Sequence, residues 1–269
     1  MATKDRDVRV FFESHPVFTI DDLREFYSLA ESSREASDMI LYSKKMGRIG
    51  RIKDGLYFVV RPGQTAQHTS VDPYLVASKL APDVVLAYHT AFDLLGFGHS
   101  AFNVYHYFSD RFRPPLRFQG GHFRAVVFPK TLRKKSKTGF GTENIERLGI
   151  KLRVTGKERA LVEALERPQY CGGFEELYRS LEKIPYLQPD VILRYLEFRD
   201  QKNLFARVGF FLEQHQDDFH IEKSFLDRLA ESVPAQPVYW VRGRKGGTLA
   251  NRWNLIVPDA VMRRKWEEF

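Results

Sequence analysis

The chain has one cysteine, Cys171, among its 269 residues. A single thiol excludes a disulfide framework and any zinc site built on cysteines, and it fits a reducing compartment. No apolar run approaches the ~20 residues that a membrane helix needs. Met1-Ala-Thr-Lys-Asp-Arg-Asp leads into no apolar signal segment. The expectation is a soluble, cytoplasmic protein that does not enter a membrane.

Signatures of catalysis are missing as well. There is no Gly-x-x-x-x-Gly-Lys-Ser/Thr phosphate loop, no Gly-x-Gly-x-x-Gly and no Gly-x-Ser-x-Gly elbow. The paired carboxylates that hold two metal ions for nucleotidyl transfer are met only by Asp5-Arg-Asp7, at the extreme N-terminus. A nuclease-like carboxylate followed two residues later by lysine occurs at Asp200-Gln-Lys202, on or beside a helix where Asp190 would not converge with it on a metal. Histidines 89, 99, 106 and 122 crowd one region at spacings that fit no metal site. No catalytic set, metal or cofactor is expected, and Cys171 by default is a buried, inert thiol.

What is present is charge, unevenly spread. The net is +8, from 42 Lys+Arg against 34 Asp+Glu. Residues 105–159 carry 14 basic and 4 acidic side chains, whereas residues 160–238 carry 9 and 14. A basic middle points to a polyanion, nucleic acid being the usual one, although a basic patch also occurs without a ligand.

Residues 5–62 carry the pattern of three helices and a hairpin. Val8, Phe11 and Phe12 face inward on a helix from Asp5 to Ser14, and Thr19 with Asp22 caps a second. Ser32 or Ser33 caps a third, which buries Ala36, Met39, Ile40 and Ser43 or Met46 and presents Arg34, Ser37, Leu41, Lys44 and Lys45 outward. Gly47 closes it, and two strands follow about an Asp54-Gly55 turn with Arg48, Arg51 and Lys53 along them. This is the order of a winged helix-turn-helix, whose third helix enters the major groove. A protein-interaction module with a solvated basic face has the same pattern. Residues 1–65 net only +1, so DNA affinity would rest on a few placed contacts.

A polar passage from Arg61 to Thr69 reads as a linker, which gives two domains, 1–65 and 66–269. In the second, Asp72-Pro73 opens a helix, Val84–Ala87 is a short strand and Tyr88–Gly96 a helix. Residues 100–155 are strand-rich, residues 156–235 helix-rich, and 237–257 form a closing hairpin that completes the sheet. The fold class expected is α+β. Arg133, Lys134, Lys135 and Lys137 lie in a basic loop, either a solvated turn or a phosphate contact. With Lys157, Arg159, Arg242, Arg244 and Lys245 they make a possible second basic surface.

The strand Ile150–Val154 runs into Gly156 and a helix that Pro168 stops. Thr155 and Glu158 have the spacing of a capping box, with Ala160, Leu161, Ala164 and Leu165 on one face. The same helix mouth, with Lys157 and Arg159, is also a place for a phosphate.

The succession Asp54-Gly-Leu-Tyr-Phe-Val-Val60, Asp72-Pro-Tyr-Leu-Val-Ala77, Tyr88-His-Thr-Ala-Phe-Asp-Leu-Leu-Gly96, Val154-Thr-Gly-Lys-Glu-Arg-Ala-Leu-Val-Glu163 and Arg207-Val-Gly-Phe-Phe-Leu-Glu213 resembles the AbiEi family over most of the chain. It departs at Glu163, where an aspartate is expected, and in the basic loop 130–137. These are bacterial transcriptional regulators and antitoxins of type IV toxin–antitoxin systems in phage defence. The resemblance implies a winged helix on inverted repeats in the protein's own promoter. It also implies opposition to a nucleotidyltransferase-like toxin without a required stable complex. Two other classes stay open: a ligand-responsive winged-helix regulator with a small-molecule or nucleotide site near Thr155–Arg159, and an enzyme acting on nucleic acid.

Overall fold

The structure is a computed structural model that describes residues 2–266 apart from 242, 244 and 245, and of residues 2–7 the backbone alone. In chain order its elements begin with α1 (Ala2–Ser14), β1 (Val17–Thr19), α2 (Ile20–Phe26), α3 (Glu35–Lys45), β2 (Ile49–Lys53), β3 (Leu56–Val59), α4 (Pro73–Ser78) and β4 (Val85–Leu86). Next come α5 (His89–Leu94), β5 (Val104–Ser109), β6 (Leu116–Phe118), β7 (Gly121–Val127), α6 (Lys130–Lys134), β8 (Thr142–Arg147), β9 (Ile150–Thr155) and α7 (Lys157–Glu166). The chain continues with α8 (Phe174–Leu181), α9 (Pro189–Arg199), α10 (Lys202–Gln214), α11 (Lys223–Ala230), β10 (Val238–Tyr239), β11 (Thr248–Ala250), β12 (Leu255–Val257) and α12 (Asp259–Arg263). Helices and sheets mix along the chain, so the fold is α+β.

By internal contacts the chain divides into two compact units. The first takes Met1–Leu86, Asn103–Ala125 and Asn144–Arg153; the second takes Ala87–Phe102, Val126–Glu143 and Val154–Phe269.

In the first unit, α1 packs Phe11 into a core with Phe18, Leu23, Ala36, Ile40 and Ile49. Thr19 caps α2 as its spacing predicts: the Asp22 N–H donates to Thr19 Oγ1 at 3.1 Å and the Thr19 N–H donates to Asp22 Oδ2 at 2.6 Å. The three expected helices are joined by a strand the periodicity does not announce. β1 pairs antiparallel with β3, β3 pairs antiparallel with β2, and the sheet order is β1-β3-β2. At three residues, β1 is too short to show an alternation. Helix α3 starts after the expected caps; Ser33 Oγ instead accepts the Glu35 N–H at 3.2 Å from just outside it.

The larger sheet has the order β6-β7-β5-β4-β9-β8. The passage expected as a linker is pinned near its end. Gln119, in the β6–β7 turn, donates to the Thr69 carbonyl at 2.8 Å and accepts from the Val71 N–H at 3.0 Å. Asp72 caps α4 from its side chain with Pro73 in the first turn, as expected.

The second unit buries the apolar faces of its helices, with Leu161, Leu165, Leu177, Leu196, Val208 and Phe211 fully enclosed. Trp253 is equally buried and lies over Gly209 of α10, where there is room for no side chain.

Three expectations fail here. The basic stretch at 130–137 is not a loop throughout, since α6 forms within it and Leu132 is buried. The closing segment is not a hairpin of 237–241 with 252–258. β10 runs parallel to β12, β11 pairs antiparallel with β12, and the three make a separate sheet of order β10-β12-β11 rather than completing the larger one. The capping box at Thr155 does not form either. Thr155 is the last residue of β9 and fully buried, Gly156 takes the cap position, and Glu158 Oε1 accepts the Gln188 N–H at 3.1 Å.

Candidate nucleic-acid interface

Helix α3 has 11 residues, which at 1.5 Å per residue makes it about 16 Å long. Ala36, Ile40 and Ser43 face the core, a spacing of four and three residues that fixes which positions point away. Arg34, Ser37, Leu41, Lys44 and Lys45 are all exposed, as the sequence predicts. Leu41 is 65% exposed and Tyr42 56%, which is unusual for side chains of their size. Met46, one of two alternatives for a core position, is out in solvent. Lys44 and Lys45 occupy the last turn of α3, where the helix dipole favours cations. Glu35 and Asp38 are exposed on the same helix, so the face is mixed in charge.

The hairpin follows at once. The Arg48 N–H donates to the Ser43 carbonyl at 2.9 Å and the Val60 N–H to the Arg48 carbonyl at 2.8 Å, tying the end of α3 to the base of β2 and β3. Gly50 leaves space for the Phe58 ring, which a Cβ at that position would enter. Phe58 also meets the Phe118 ring with centroids 5.7 Å apart.

The hairpin's three cations have different fates. Arg48 is half-buried as a residue, and its guanidinium lies 6.0 Å from the centre of the Tyr42 ring. Arg51 is exposed and pairs with Asp54, itself 91% exposed. Such a surface pair contributes little, and a phosphate can displace Asp54 from it. Lys53 turns inward, its Nζ 3.4 Å from the Leu80 carbonyl. Burial, and then the nearby charge of Arg113, push its pKa down. Nearby, at the start of α2, Asp22 receives Lys79 at 2.6 Å. Burial opposes its ionisation, yet Lys79 and the Thr19 N–H and hydroxyl outweigh burial and lower its pKa.

The second basic surface is only partly exposed. Arg133, Lys134, Lys135 and Lys137 are exposed. Lys135 donates to the Glu197 and Phe198 carbonyls at 3.1 and 3.5 Å, closing the end of α9, and the Lys137 ammonium lies 5.5 Å from the centre of the Phe198 ring. The Lys157 ammonium sits 3.1 Å from the centre of the Tyr186 ring, its side chain 15% exposed.

Arg159 is not at the surface at all. Its side chain is fully buried, its Nε donates to Glu163 Oε1 at 2.8 Å, and its Nη1 donates to the Thr138 and Phe140 carbonyls at 2.7 Å each. Of the two cations at this helix mouth, Arg159 is therefore held by protein groups and does not face a phosphate. Arg242, Arg244 and Lys245 lie outside the described residues.

Other candidates take structural places. His89 Nε2 lies 3.2 Å from Glu176 Oε1, and Glu176 also accepts the His99 and Ser100 N–H groups. Cys171 is buried, and burial pushes its thiol pKa well up, which makes it unreactive. Asp200 sits beyond the C-terminus of α9 in a left-handed turn. Among the described residues no group of three or more His, Cys, Asp or Glu is placed to hold a metal. Among them, too, no helix is long and apolar enough to cross a membrane.

No protein-family model matches the chain, and no curated protein matches it. Among solved structures it is similar to the crystal structure of the RV2827C protein from Mycobacterium tuberculosis. The TM-score is 0.60 at 17% sequence identity, covering 96% of this chain and 92% of that one. At this identity the likeness speaks for the fold alone.

Proposed function

We propose that the chain is a bacterial DNA-binding autorepressor and antitoxin of the AbiEi kind, acting in the cytoplasm against a nucleotidyltransferase-like toxin. Residues 1–65 would be its winged helix-turn-helix. The observation that carries the reading is an exposed face of α3 bearing Arg34, Ser37, Leu41, Lys44 and Lys45, followed directly by a hairpin with an exposed arginine. In a winged helix the third helix lies in the major groove and its outward side chains reach base edges, while the hairpin reaches phosphates. Arg34 and Ser37 begin the helix and supply hydrogen-bonding groups for bases. Leu41 offers an apolar contact of the sort that reads a thymine methyl. Lys44, Lys45 and Arg51 would be the phosphate contacts, Arg51 by exchanging Asp54 for the backbone.

The mixed charge of α3 favours recognition by placed contacts over bulk attraction. The preferred DNA is the inverted repeats of the protein's own promoter, and the toxin is countered without a required stable complex. The test is a reporter fused to the DNA upstream of the protein's own reading frame, with the neighbouring reading frame expressed alone and together with the protein. Repression that Lys44→Ala/Arg51→Ala relieves, and rescue of growth by the intact chain, are expected. A reporter unaffected by the protein would overturn the repressor reading. Growth arrest that the protein does not relieve would overturn the antitoxin reading.

A further inference from the structure

Within the first unit, the hairpin tip, the start of α2, residues 78–84, Arg113 and residues 150–153 surround a cleft of about 740 Å³. That lies in the ~300–1,000 Å³ range of small-molecule sites. Five cations line it: Lys53, Lys79, Arg113, Lys151 and Arg153.

The acidic lining is largely spoken for. Asp22 is taken by Lys79 at 2.6 Å, Asp21 by Arg24 at 2.9 Å, and Asp54 by Arg51. Glu25 is the remaining carboxylate of the lining. Among the described residues Lys53, Arg113, Lys151 and Arg153 have no carboxylate partner. Arg153 donates to the Asp83 carbonyl at 2.9 Å, and Lys53 reaches the Leu80 carbonyl at 3.4 Å, a long contact. The Nε of Arg113 is buried and has no hydrogen-bond partner among the described residues.

A buried donor left unmade costs free energy, and two cations drawn together cost more unless an anion lies between them. Lys53 registers both effects, since burial and the charge of Arg113 make its ammonium harder to keep protonated. A phosphate answers the repulsion. It carries up to two charges and three acceptor oxygens, and arginine's planar fork matches it in a bidentate way.

We propose that this cleft binds a small phosphorylated ligand, with the phosphate held by Arg113 and Lys53 and by Lys151 and Arg153. The site lies beside the hairpin and stands whether or not α3 binds DNA. Occupying it would neutralise the Lys53–Arg113 repulsion and brace the hairpin.

The same phosphate chemistry could come from a nucleotide or from a DNA backbone, and the experiment separates them. The full chain is titrated by calorimetry with pyrophosphate, with ATP and with a double-stranded oligonucleotide, alongside Arg113→Gln and Lys151→Gln. Lys151 is exposed, so its variant keeps the fold even if loss of Arg113 disturbs it. Saturable binding of pyrophosphate or ATP that weakens at least tenfold in Lys151→Gln, with a ligand-induced rise in Tm lost in the same variant, is the expected result. No saturable binding of either probe, or binding by both variants as tight as that of the wild-type chain, would overturn the proposal. So would a loss of oligonucleotide affinity alone, which would assign the cleft to the DNA backbone.

Discussion

Replacing Arg159 by methionine separates a structural clamp from a phosphate site. The guanidinium is fully buried against Glu163 and donates to the carbonyls of Thr138 and Phe140. Burial disfavours its charge, but Tyr195 and Glu163 more than offset this and raise its pKa. The methionine removes the cation and leaves Glu163 buried, with the Tyr195 hydroxyl at 2.6 Å as its remaining donor. Breaking such a pair from one side costs about 3–5 kcal/mol, and each orphaned carbonyl about 1–3 kcal/mol. These overlap, so the expected loss is roughly 4–6 kcal/mol, a large part of the ~5–15 kcal/mol that holds a folded protein. Urea unfolding followed by circular dichroism reads this as a midpoint lower by about 2 M. Arg159→Met/Glu163→Leu, which removes both charges, should lose less than the single variant. A single variant within about 1 kcal/mol of wild type, with weakened binding of a polyanion, would refute the clamp and restore the phosphate reading.

Gly209→Ala should destabilise by about 1–3 kcal/mol, although alanine is the better helix former by about 1 kcal/mol, because its Cβ would enter the Trp253 ring. Thermal melting checks the sign, and a stabilised variant would contradict the packing. Acid should unfold the protein in two stages. Burial holds His89 below its ordinary value of 6.5 despite Glu176, so the unfolded state takes up that proton first, and stability is lost as pH falls below 6.5. His215 is depressed by burial in the same way and adds to this stage. Burial works against ionised Glu176, but Ser100 and His89 outweigh it and depress its pKa; its contribution is full above 4.5 and lost below. Melting temperatures unchanged between pH 7 and 5 would contradict this, and His89→Gln should flatten the upper stage.

Where local chemistry decided the structure, it was legible. Thr19 and Asp22 form the capping box their spacing announces, and Asp72-Pro73 opens α4. Thr155 and Glu158 have the same spacing and fail, because burial of Thr155 at the end of β9 outweighs a cap and Gly156 takes its place. β8 escaped notice because it is an edge strand with no buried residue, so its sequence has no apolar alternation. β10 beside β12 is a parallel pair, which no hairpin turn can join. The α3 face was readable because helical period alone sets which residues are exposed. The cleft was not, since Lys53, Lys79, Arg113 and the pair Lys151 and Arg153 come from four separate stretches of chain. Arg159 misled because Lys-Glu-Arg at a helix start looks solvated, although its partner Glu163 stood four residues on.

The salt dependence of DNA affinity tests the central claim most directly. Fluorescence anisotropy on DNA from upstream of the protein's own reading frame gives log affinity against log salt for wild type and Lys44→Ala/Arg51→Ala. Each phosphate contact contributes about one unit of slope. Wild type should bind with a steep slope, and the double variant should bind more weakly with a slope shallower by roughly two. Equal slopes and equal affinities would remove α3 and the hairpin from the DNA.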